Sequence, residues 1–378
     1  MKISAQCFIL VFLSVFVFNA CKNDLKLNAP YKEIPSIYAV INPQDKINMI
    51  RINKVFLGES DANQMAQVAD SINYPAGELT VTLNKFVNGA QVNAAAGKLT
   101  ITLRDSMISN VKAGAFNTNQ RVYVFSDDLH EGTRGNANYK ILGDYVLTVK
   151  NNRTGNVFKG KAAAFDSING QQGIAPLTIK NVYPYGLPIP PLGEYIDYKT
   201  NNGGSVSFVP NNAKIYQLII RVHFYEDFVG VRYDKYVDYS SANKNAKDVN
   251  RLSIGDYIQY TFNTVDFFTA MGVGLSKLNL NNKDVIGRTA YKIEYLIFSS
   301  SQDYIDYNQY VTPSLSIAQS KPLYSNFDDQ AALGIFTFRT RCSLSKEMST
   351  TFINEFARNS NTCFYQFRLT DGSKPGCK

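Results

Sequence analysis

Strict alternation of apolar and polar residues is the pattern that most constrains how this chain folds. Leu79, Val81 and Leu83 are separated by threonines, and the run 99–103 repeats the arrangement. Successive side chains of a β-strand point to opposite faces of a sheet, so this period places the aliphatic residues in a core and the threonines in water. The period recurs through 122–125, 145–149 and 157–165. We therefore predict an all-β N-terminal region.

One of these predicted strands carries a further signal. The segment 142–149 reads LGDYVLTV and resembles the tyrosine corner of immunoglobulin-like sandwiches, in which a tyrosine at the start of the penultimate strand bonds back to nearby backbone. Tyr145 would be that residue. Together with the preceding short strands, it predicts an Ig-like β-sandwich over residues 34–170.

The second half of the chain mixes two periods. The run 215–225 alternates as a half-buried strand, whereas Asn263, three residues before Asp266, indicates a helix N-cap. A further helix is predicted over 344–357 and a final strand over 364–369. The predicted fold is thus mainly β, with the Ig-like sandwich followed by an α+β domain at 205–378.

The N-terminus has the features of a lipoprotein signal peptide. Lys2 precedes an apolar run at 8–18, which is shorter than the ~20 residues that a membrane-spanning helix needs, and Ala20 then stands before Cys21. Residues 1–20 would be removed, Cys21 would carry acyl chains, and 21–33 would form the tether. The alternative is an ordinary secretory signal in which Cys21 is incidental.

Composition argues against two classes of partner. The net charge is +8, but the chain has no Lys/Arg-rich run of the kind that marks nucleic-acid binding, so no nucleic-acid partner is predicted. The chain has no tryptophan, the side chain with the largest stacking face, which argues against a flat glycan-binding platform.

Three cysteines remain beyond the signal peptide and the lipidation site: Cys342, Cys363 and Cys377. An odd number in an oxidising compartment predicts one disulfide and one free thiol, and the pairing cannot be read from sequence. Cys342 with Cys363 is the preferred pair because the two flank a predicted helix. A zinc site is the alternative, but a fourth ligand is missing nearby.

The chain shows no motif for catalysis. It has two histidines, His130 in the acidic loop 127–131 and His223 in phase with Arg221 on a predicted strand. Nucleophile-elbow, phosphate-loop, dinucleotide and zinc-protease patterns are all missing. Gly272 and Gly274 lie in a predicted helix, where we expect them to permit close packing. We predict no enzyme activity, no cofactor and no metal site; a hydrolase built from scattered residues is the alternative.

A proline-rich segment at 171–204 separates the two predicted domains and also contains Tyr183, Tyr185 and Tyr195. Its proline density favours an extended linker. The alternative is a recognition loop whose three tyrosines capture a peptide or glycan ligand.

Several short segments together resemble one family. They are Cys21, the strand ending at 40–43, the strand 145–149, and Tyr324-Ser325-Asn326-Phe327 followed by Leu333-Gly334-Ile335-Phe336. They resemble uncharacterised outer-membrane lipoproteins of Bacteroidota, although 329–332 replaces the family's Asn-Gly turn.

The resemblance implies an outer-membrane lipoprotein with a β-barrel partner such as a TonB-dependent receptor. The predicted role is that of a non-enzymatic accessory subunit. The acidic run that often marks surface display is reduced here to Asp24, so both faces of the membrane are open, with the cell surface favoured.

Overall fold

A computed structural model describes most of the chain beyond the tether. The described residues are 33–55, 64, 66–109, 119–131, 141, 143–164, 178–183, 195–196, 203–211, 213–241, 244–245, 258–278, 280, 283–311, 323–328 and 332–377. The predicted signal peptide and lipidation site at Cys21 lie outside these residues.

The chain is mainly β, as predicted. In chain order the strands are β1 (Pro35–Ile41), β2 (Asn48–Lys54), β3 (Leu79–Val87), β4 (Ala90–Val92), β5 (Thr100–Thr102), β6 (Arg104–Ile108), β7 (Gln120–Phe125), β8 (Asp144–Asn151), β9 (Val157–Ala163), β10 (Thr178–Tyr183), β11 (Tyr195–Ile196), β12 (Gly203–Val209), β13 (Ile215–Phe228), β14 (Val231–Ser240), β15 (Lys244–Asn245), β16 (Ile258–Asn263), β17 (Gly287–Ser300) and β18 (Leu333–Met348). The α-helices are α1 (Ala69–Ile72), α2 (Thr264–Lys277), α3 (Gln302–Val311) and α4 (Thr350–Arg358).

A ten-stranded sheet, here called the long sheet, runs through the molecule in the order β14-β13-β17-β18-β1-β2-β7-β6, with β11 beside β18 and β15 beside β13. The first half of β18 pairs in parallel with β1, and its second half pairs antiparallel with β17. The long sheet therefore contains strands from both sides of the predicted linker at 171–204. The domain boundaries themselves stay predictions.

One face of the long sheet, the inner face, is covered along its length. A five-stranded sheet containing β3, β4, β5, β8 and β9 covers the part near β1, where the rings of Tyr145 and Phe338 lie 5.1 Å apart. Helices α2 and α4 cover the other end, where Phe268 packs against Phe352 and Phe356. The Tyr145 hydroxyl donates to the carbonyl of Leu129 at 3.4 Å.

The segment before β18 explains the motif that carried the family resemblance. The Asn326 side chain donates to the Phe336 carbonyl at 2.8 Å and accepts from the Phe336 amide at 2.9 Å, so it takes the place of a neighbouring strand. Gly334 has φ +116, and a Cβ there would overlap the Ile37 carbonyl oxygen. The motif thus fastens β18 in register beside β1, where only glycine fits.

Two predicted elements near the C-terminus are wrong in part. The predicted helix at 344–357 begins later, because β18 continues pairing with β17 as far as Glu347. The Ser349 hydroxyl then accepts from the Phe352 amide at 3.0 Å and caps α4, so the helix begins at Thr350. The predicted strand at 364–369 is a short 3₁₀ turn followed by a single bridge from Phe367 to Arg288.

The predicted Cys342–Cys363 disulfide is also wrong. Cys363 bonds to Cys377, with their Cα atoms 5.3 Å apart, and Cys342 is free. Cys342 lies in the middle of β18, opposite Ile297 of β17, and does not flank the helix as the prediction assumed. The bond instead closes a loop around Phe367, whose ring packs against Phe224 and Phe356 in the core.

Candidate functional site

The candidate site lies on the exposed outer face of β13, β14 and β17, at one end of the long sheet. Alternation divides β13 between the two faces: Leu218, Ile220, Val222 and Phe224 are buried on the inner face. The intervening residues and their partners across the strands form a polar and aromatic surface that we call the tyrosine–histidine patch. It consists of Arg221, His223 and Tyr225, their partners Asp234, Tyr236, Asp238, Lys292 and Glu294, and Tyr291, which lies at a shift of the strand register and stacks on Tyr225.

An arginine is held rigidly at one end of the patch. Arg221 donates two hydrogen bonds to the Asp238 carboxylate, at 2.9 and 3.0 Å. These bonds raise the pKa of Arg221. Its guanidinium carbon lies 3.7 Å from the centre of the Tyr236 ring. The ion pair and the cation–π contact fix the Tyr236 ring, although this residue is 47% exposed.

The imidazole at the centre of the patch joins three strands. The Nε2 atom of His223 lies 3.2 Å from an oxygen of Glu294 on β17, and its Nδ1 atom lies 3.9 Å from Asp234 on β14. The Nδ1 atom is buried and has no hydrogen-bond partner. Only one ring nitrogen is within hydrogen-bonding reach of a carboxylate, so the second acid contributes at longer range.

Two stacked tyrosines complete the patch. The rings of Tyr225 and Tyr291 are nearly parallel, at 6°, with centres 4.2 Å apart. The Tyr291 hydroxyl donates to Asp234 at 3.1 Å, and burial together with this hydrogen bond raises the pKa of Tyr291. Arg232, which donates to Asp227 at 2.6 Å, places its guanidinium 4.8 Å from the Tyr225 ring centre. The raised pKa keeps the Tyr291 phenol neutral at physiological pH.

A groove of about 530 Å³ adjoins the patch at the edge of β14. Tyr236 and Asp238 form one wall, and helix α2 forms the other with Val273 and Lys277. Val273 is 50% exposed. Within the described residues β14 pairs with β13 alone, so its outer edge offers backbone donors and acceptors along the groove.

Two glycines bring α2 close to its neighbours, as the sequence predicted. A Cβ on Gly274 would lie 2.5 Å from a methyl group of Val237, and one on Gly272 would lie 2.6 Å from the Asn361 carbonyl oxygen. The N-terminus of α2 also follows the prediction, because the Asn263 side chain accepts from the Asp266 amide at 2.7 Å. These contacts fix the helical wall of the groove.

The patch also meets the predicted Tyr-rich segment. Across neighbouring strands, Tyr195 lies opposite Glu347, and Glu347 lies opposite Lys292. Lys292 in turn lies opposite His223, which lies opposite Tyr236. One row of paired residues therefore crosses five strands, from Tyr195 within the segment 171–204 to the edge of the long sheet.

Of the other two predicted ligand-binding tyrosines, Tyr183 is not part of this row. The backbone of Tyr183 pairs with Ser205 in the three-stranded sheet of β10, β12 and β16. Tyr185 and the side chains of Tyr183 and Tyr195 lie outside the described residues. Sequence reasoning missed Tyr225, Tyr236 and Tyr291, although tyrosines and charged residues at alternate positions of 221–225 and 234–238 are the signal that could have found them.

The acidic side chains of the loop around His130 all form ion pairs or hydrogen bonds. Asp128 lies 2.7 Å from the His130 Nδ1 atom, Asp127 bonds Lys98, and Glu131 bonds the buried Lys85. Across the parts of the chain that the structure describes, no group of three or more His, Cys, Asp or Glu residues could hold a metal ion.

Comparison of the chain with protein-family models and with curated proteins gave no match. Within the described ranges, none of the helices has both the length and the apolar character needed to cross a membrane.

Proposed function

We propose that this chain is a lipid-anchored, non-enzymatic binding protein of the bacterial outer membrane, and that its partner docks on the tyrosine–histidine patch and the β14 edge. The partner we infer is a β-barrel receptor of the TonB-dependent class. Acyl chains on Cys21 would hold the protein on the membrane, with the cell surface as the favoured side.

The arrangement of tyrosine and arginine on an exposed sheet face is the observation that carries the proposal. Tyr and Arg are enriched among the residues that contribute most to protein–protein binding, because they offer large contact area with few rotatable bonds. In the patch Arg221 already holds Tyr236, and Tyr291 is held by Asp234 and Tyr225. These side chains are already ordered, so binding of a partner costs little further side-chain entropy.

The edge of β14 favours an extended segment of the partner over a rounded surface. An extended chain can continue a sheet by bonding to the backbone of an edge strand while its side chains fill flanking pockets. Here the groove beside β14 supplies the flanking contacts, with Tyr236 on one side and Val273 on the other.

We also infer that the N-terminal region at 34–170 is Ig-like and that 205–378 is an α+β unit. The bond from the Tyr145 hydroxyl to the Leu129 carbonyl supports the first inference, because it is the kind of backbone contact that a tyrosine corner makes.

Co-purification tests the proposed partner. A tagged full-length chain is extracted from outer membranes in mild detergent, and the accompanying proteins are quantified by mass spectrometry. We expect a β-barrel protein in stoichiometric amount with the wild type and its loss with the Tyr236→Ala, Tyr291→Ala double variant.

Tyr310→Phe is the matched control, because Tyr310 is also exposed, at 43%, but lies on α3 away from the patch. It should retain the barrel protein. A wild-type chain that is recovered without any barrel protein would contradict the proposal. The anchor is tested separately: Cys21→Ser should release the chain from the membrane fraction, and full retention would refute lipidation at this residue.

A further inference from the structure

A second site lies on the outer face of the long sheet, under helix α3. Here a pocket of about 370 Å³ opens between the helix and strands β13 and β17. We call it the α3 pocket. Its lining is mostly polar and consists of Ile215, Gln217, Ser300, Tyr304, Ile305, Asn308 and Gln309.

An arginine without an acidic partner lies beside this pocket. Arg339 of β18 pairs across the sheet with Ser300, and its Nη2 atom donates to the Gln217 side-chain oxygen at 3.3 Å. Its guanidinium carbon lies 4.0 Å from the centre of the Phe298 ring and 5.0 Å from that of Tyr304. Three of these neighbours, Ser300, Gln217 and Tyr304, line the pocket.

The hydrogen-bonding capacity of Arg339 is not used up by these contacts. Its Nε atom is buried and has no hydrogen-bond partner. Among the described residues no carboxylate lies within ion-pair distance of Arg339, whereas Arg121, Arg221, Arg232 and Arg341 each pair with an aspartate. The nearby acids of α3 are engaged elsewhere: Asp303 accepts from Tyr324 and Asp306 from Gln302.

The Arg339 guanidinium and the polar lining of the α3 pocket together indicate which class of ligand the pocket binds. A guanidinium binds a carboxylate through charge-assisted hydrogen bonds, and the binding is strong where the cation is half-buried and not already neutralised. The pocket is at the small end of the ~300–1,000 Å³ range typical of ligand sites. We propose that the α3 pocket binds a small carboxylate about the size of an amino-acid derivative, with Arg339 as its charge partner.

The proposal is independent of the docking role of the tyrosine–histidine patch and is tested by calorimetric titration of the full chain. The probes are N-acetylalanine, its neutral amide, and N-acetyl-trialanine. We expect the acid to bind at least about tenfold more tightly than the amide at low salt. If N-acetyl-trialanine binds as tightly as N-acetylalanine, the ligand class extends to peptide C-termini. If N-acetyl-trialanine binds more weakly, the class is restricted to small acids. Both results support a carboxylate site.

Arg341→Gln provides a matched control for Arg339→Gln. Arg341 lies two residues further along β18 but is more exposed, at 47% for its side chain, and pairs with Asp45. Arg339→Gln should remove the preference for the acid over the amide, whereas Arg341→Gln should leave it within about twofold, as expected for an exposed paired charge.

A variant at an exposed position keeps the test valid if Arg339→Gln does not fold. Gln309→Glu adds a negative charge to the rim of the pocket, where Coulomb repulsion should weaken binding of the acid about fivefold and leave the amide unchanged. The proposal is overturned if the wild type binds acid and amide equally, if it binds neither at about 10 mM, or if Arg339→Gln or Gln309→Glu keeps the wild-type preference.

Discussion

The two faces of the long sheet use the same strands for different purposes. On the inner face of β13, Val222 and Phe224 are fully buried, and Phe224 packs against Phe367. On the outer face the neighbouring residues Arg221, His223 and Tyr225 bond sideways, to partners on β14 and β17. Burial therefore stabilises the inner face, whereas cross-strand pairing orders the outer face and leaves the Tyr236 ring exposed.

If the proposed docking surface is right, stability and binding are separated by one residue along a strand. Because successive side chains point to opposite faces, a substitution on the inner face should cost folding free energy, and its neighbour on the outer face should cost mainly binding. Variants chosen in pairs, one from each face, test this separation.

The largest expected difference concerns aromatic residues. Phe338 is fully buried on the inner face, and Phe338→Ala should lower the free energy of unfolding by about 3–5 kcal/mol because it leaves a cavity. Tyr236→Ala on the outer face should cost less than about 1 kcal/mol. Urea unfolding followed by circular dichroism measures both values. Comparable losses in the two variants would refute the separation.

Adjacent acids on β13 give the next largest difference. Glu226 is buried and bonds Arg288, which is fully buried, at 2.7 Å, whereas Asp227 pairs with the exposed Arg232. Glu226→Gln removes the negative charge that faces the buried Arg288 guanidinium and should destabilise the chain by about 3 kcal/mol. Asp227→Asn breaks an exposed pair and should cost less than about 1 kcal/mol. Thermal unfolding of both variants measures the two losses of stability, and a larger loss for Asp227→Asn would contradict the separation of the two faces.

The disulfide tests how the inner face is closed at the C-terminus. Cys377→Ser opens the loop that holds Phe367 against Phe224 and should cost about 2–3 kcal/mol under oxidising conditions. Cys342→Ser breaks no disulfide bond and should cost less.

Thiol labelling checks the same assignment. Burial raises the pKa of the free Cys342 thiol to about 12, so this thiol should react with iodoacetamide only after unfolding. Labelling of Cys363 or Cys377 in the unreduced chain would contradict the disulfide pairing.

The smallest effect concerns Glu33, where the chain enters the fold. Partial burial raises the pKa of Glu33, but hydrogen bonds from Asn151, Thr154 and Asn156 outweigh burial and lower the pKa below its ordinary value. The contribution to stability is thus complete above the unfolded pKa of about 4.3 and is lost as the pH falls through the folded pKa.

Glu33→Gln should accordingly destabilise the chain by less than about 1 kcal/mol at pH 7. Unfolding measured from about pH 7 to 3 should show the two proteins converging as the acid range is entered. A difference that grows on acidification would mean that the pKa of Glu33 is raised.

The strands of the inner face and of the sheet that covers it were predictable from the sequence because their signal is local. The period of two along 79–83 and 215–225 identified strands with buried aliphatic residues, and Asn263 identified the start of α2. Along 99–103 the prediction was right for Ile101 and Leu103, but Leu99 is 51% exposed. The same reasoning failed where two periods compete. Met348, Phe352 and Phe356 fit one stripe of the predicted helix 344–357, yet pairing with β17 keeps Leu344 in a strand and pairing with β11 keeps Met348 there.

The outer face was not predictable, because it depends on which strands become neighbours. The separate segments 221–225, 234–238 and 291–294 do not predict the hydrogen bond from Arg221 to Asp238 or the stacking of Tyr225 on Tyr291. The disulfide failed for the same reason, because spacing along the chain does not reveal that Cys342 lies in the middle of a strand.

Site-specific photocrosslinking in intact outer membranes tests docking on the tyrosine–histidine patch. A photoreactive amino acid is placed at Tyr236 in one variant and at Tyr310 in another, and the cross-linked products are identified by mass spectrometry. We expect a cross-link to a β-barrel protein from position 236 and none from position 310. A barrel cross-link from both positions, or from neither, would contradict docking on the tyrosine–histidine patch.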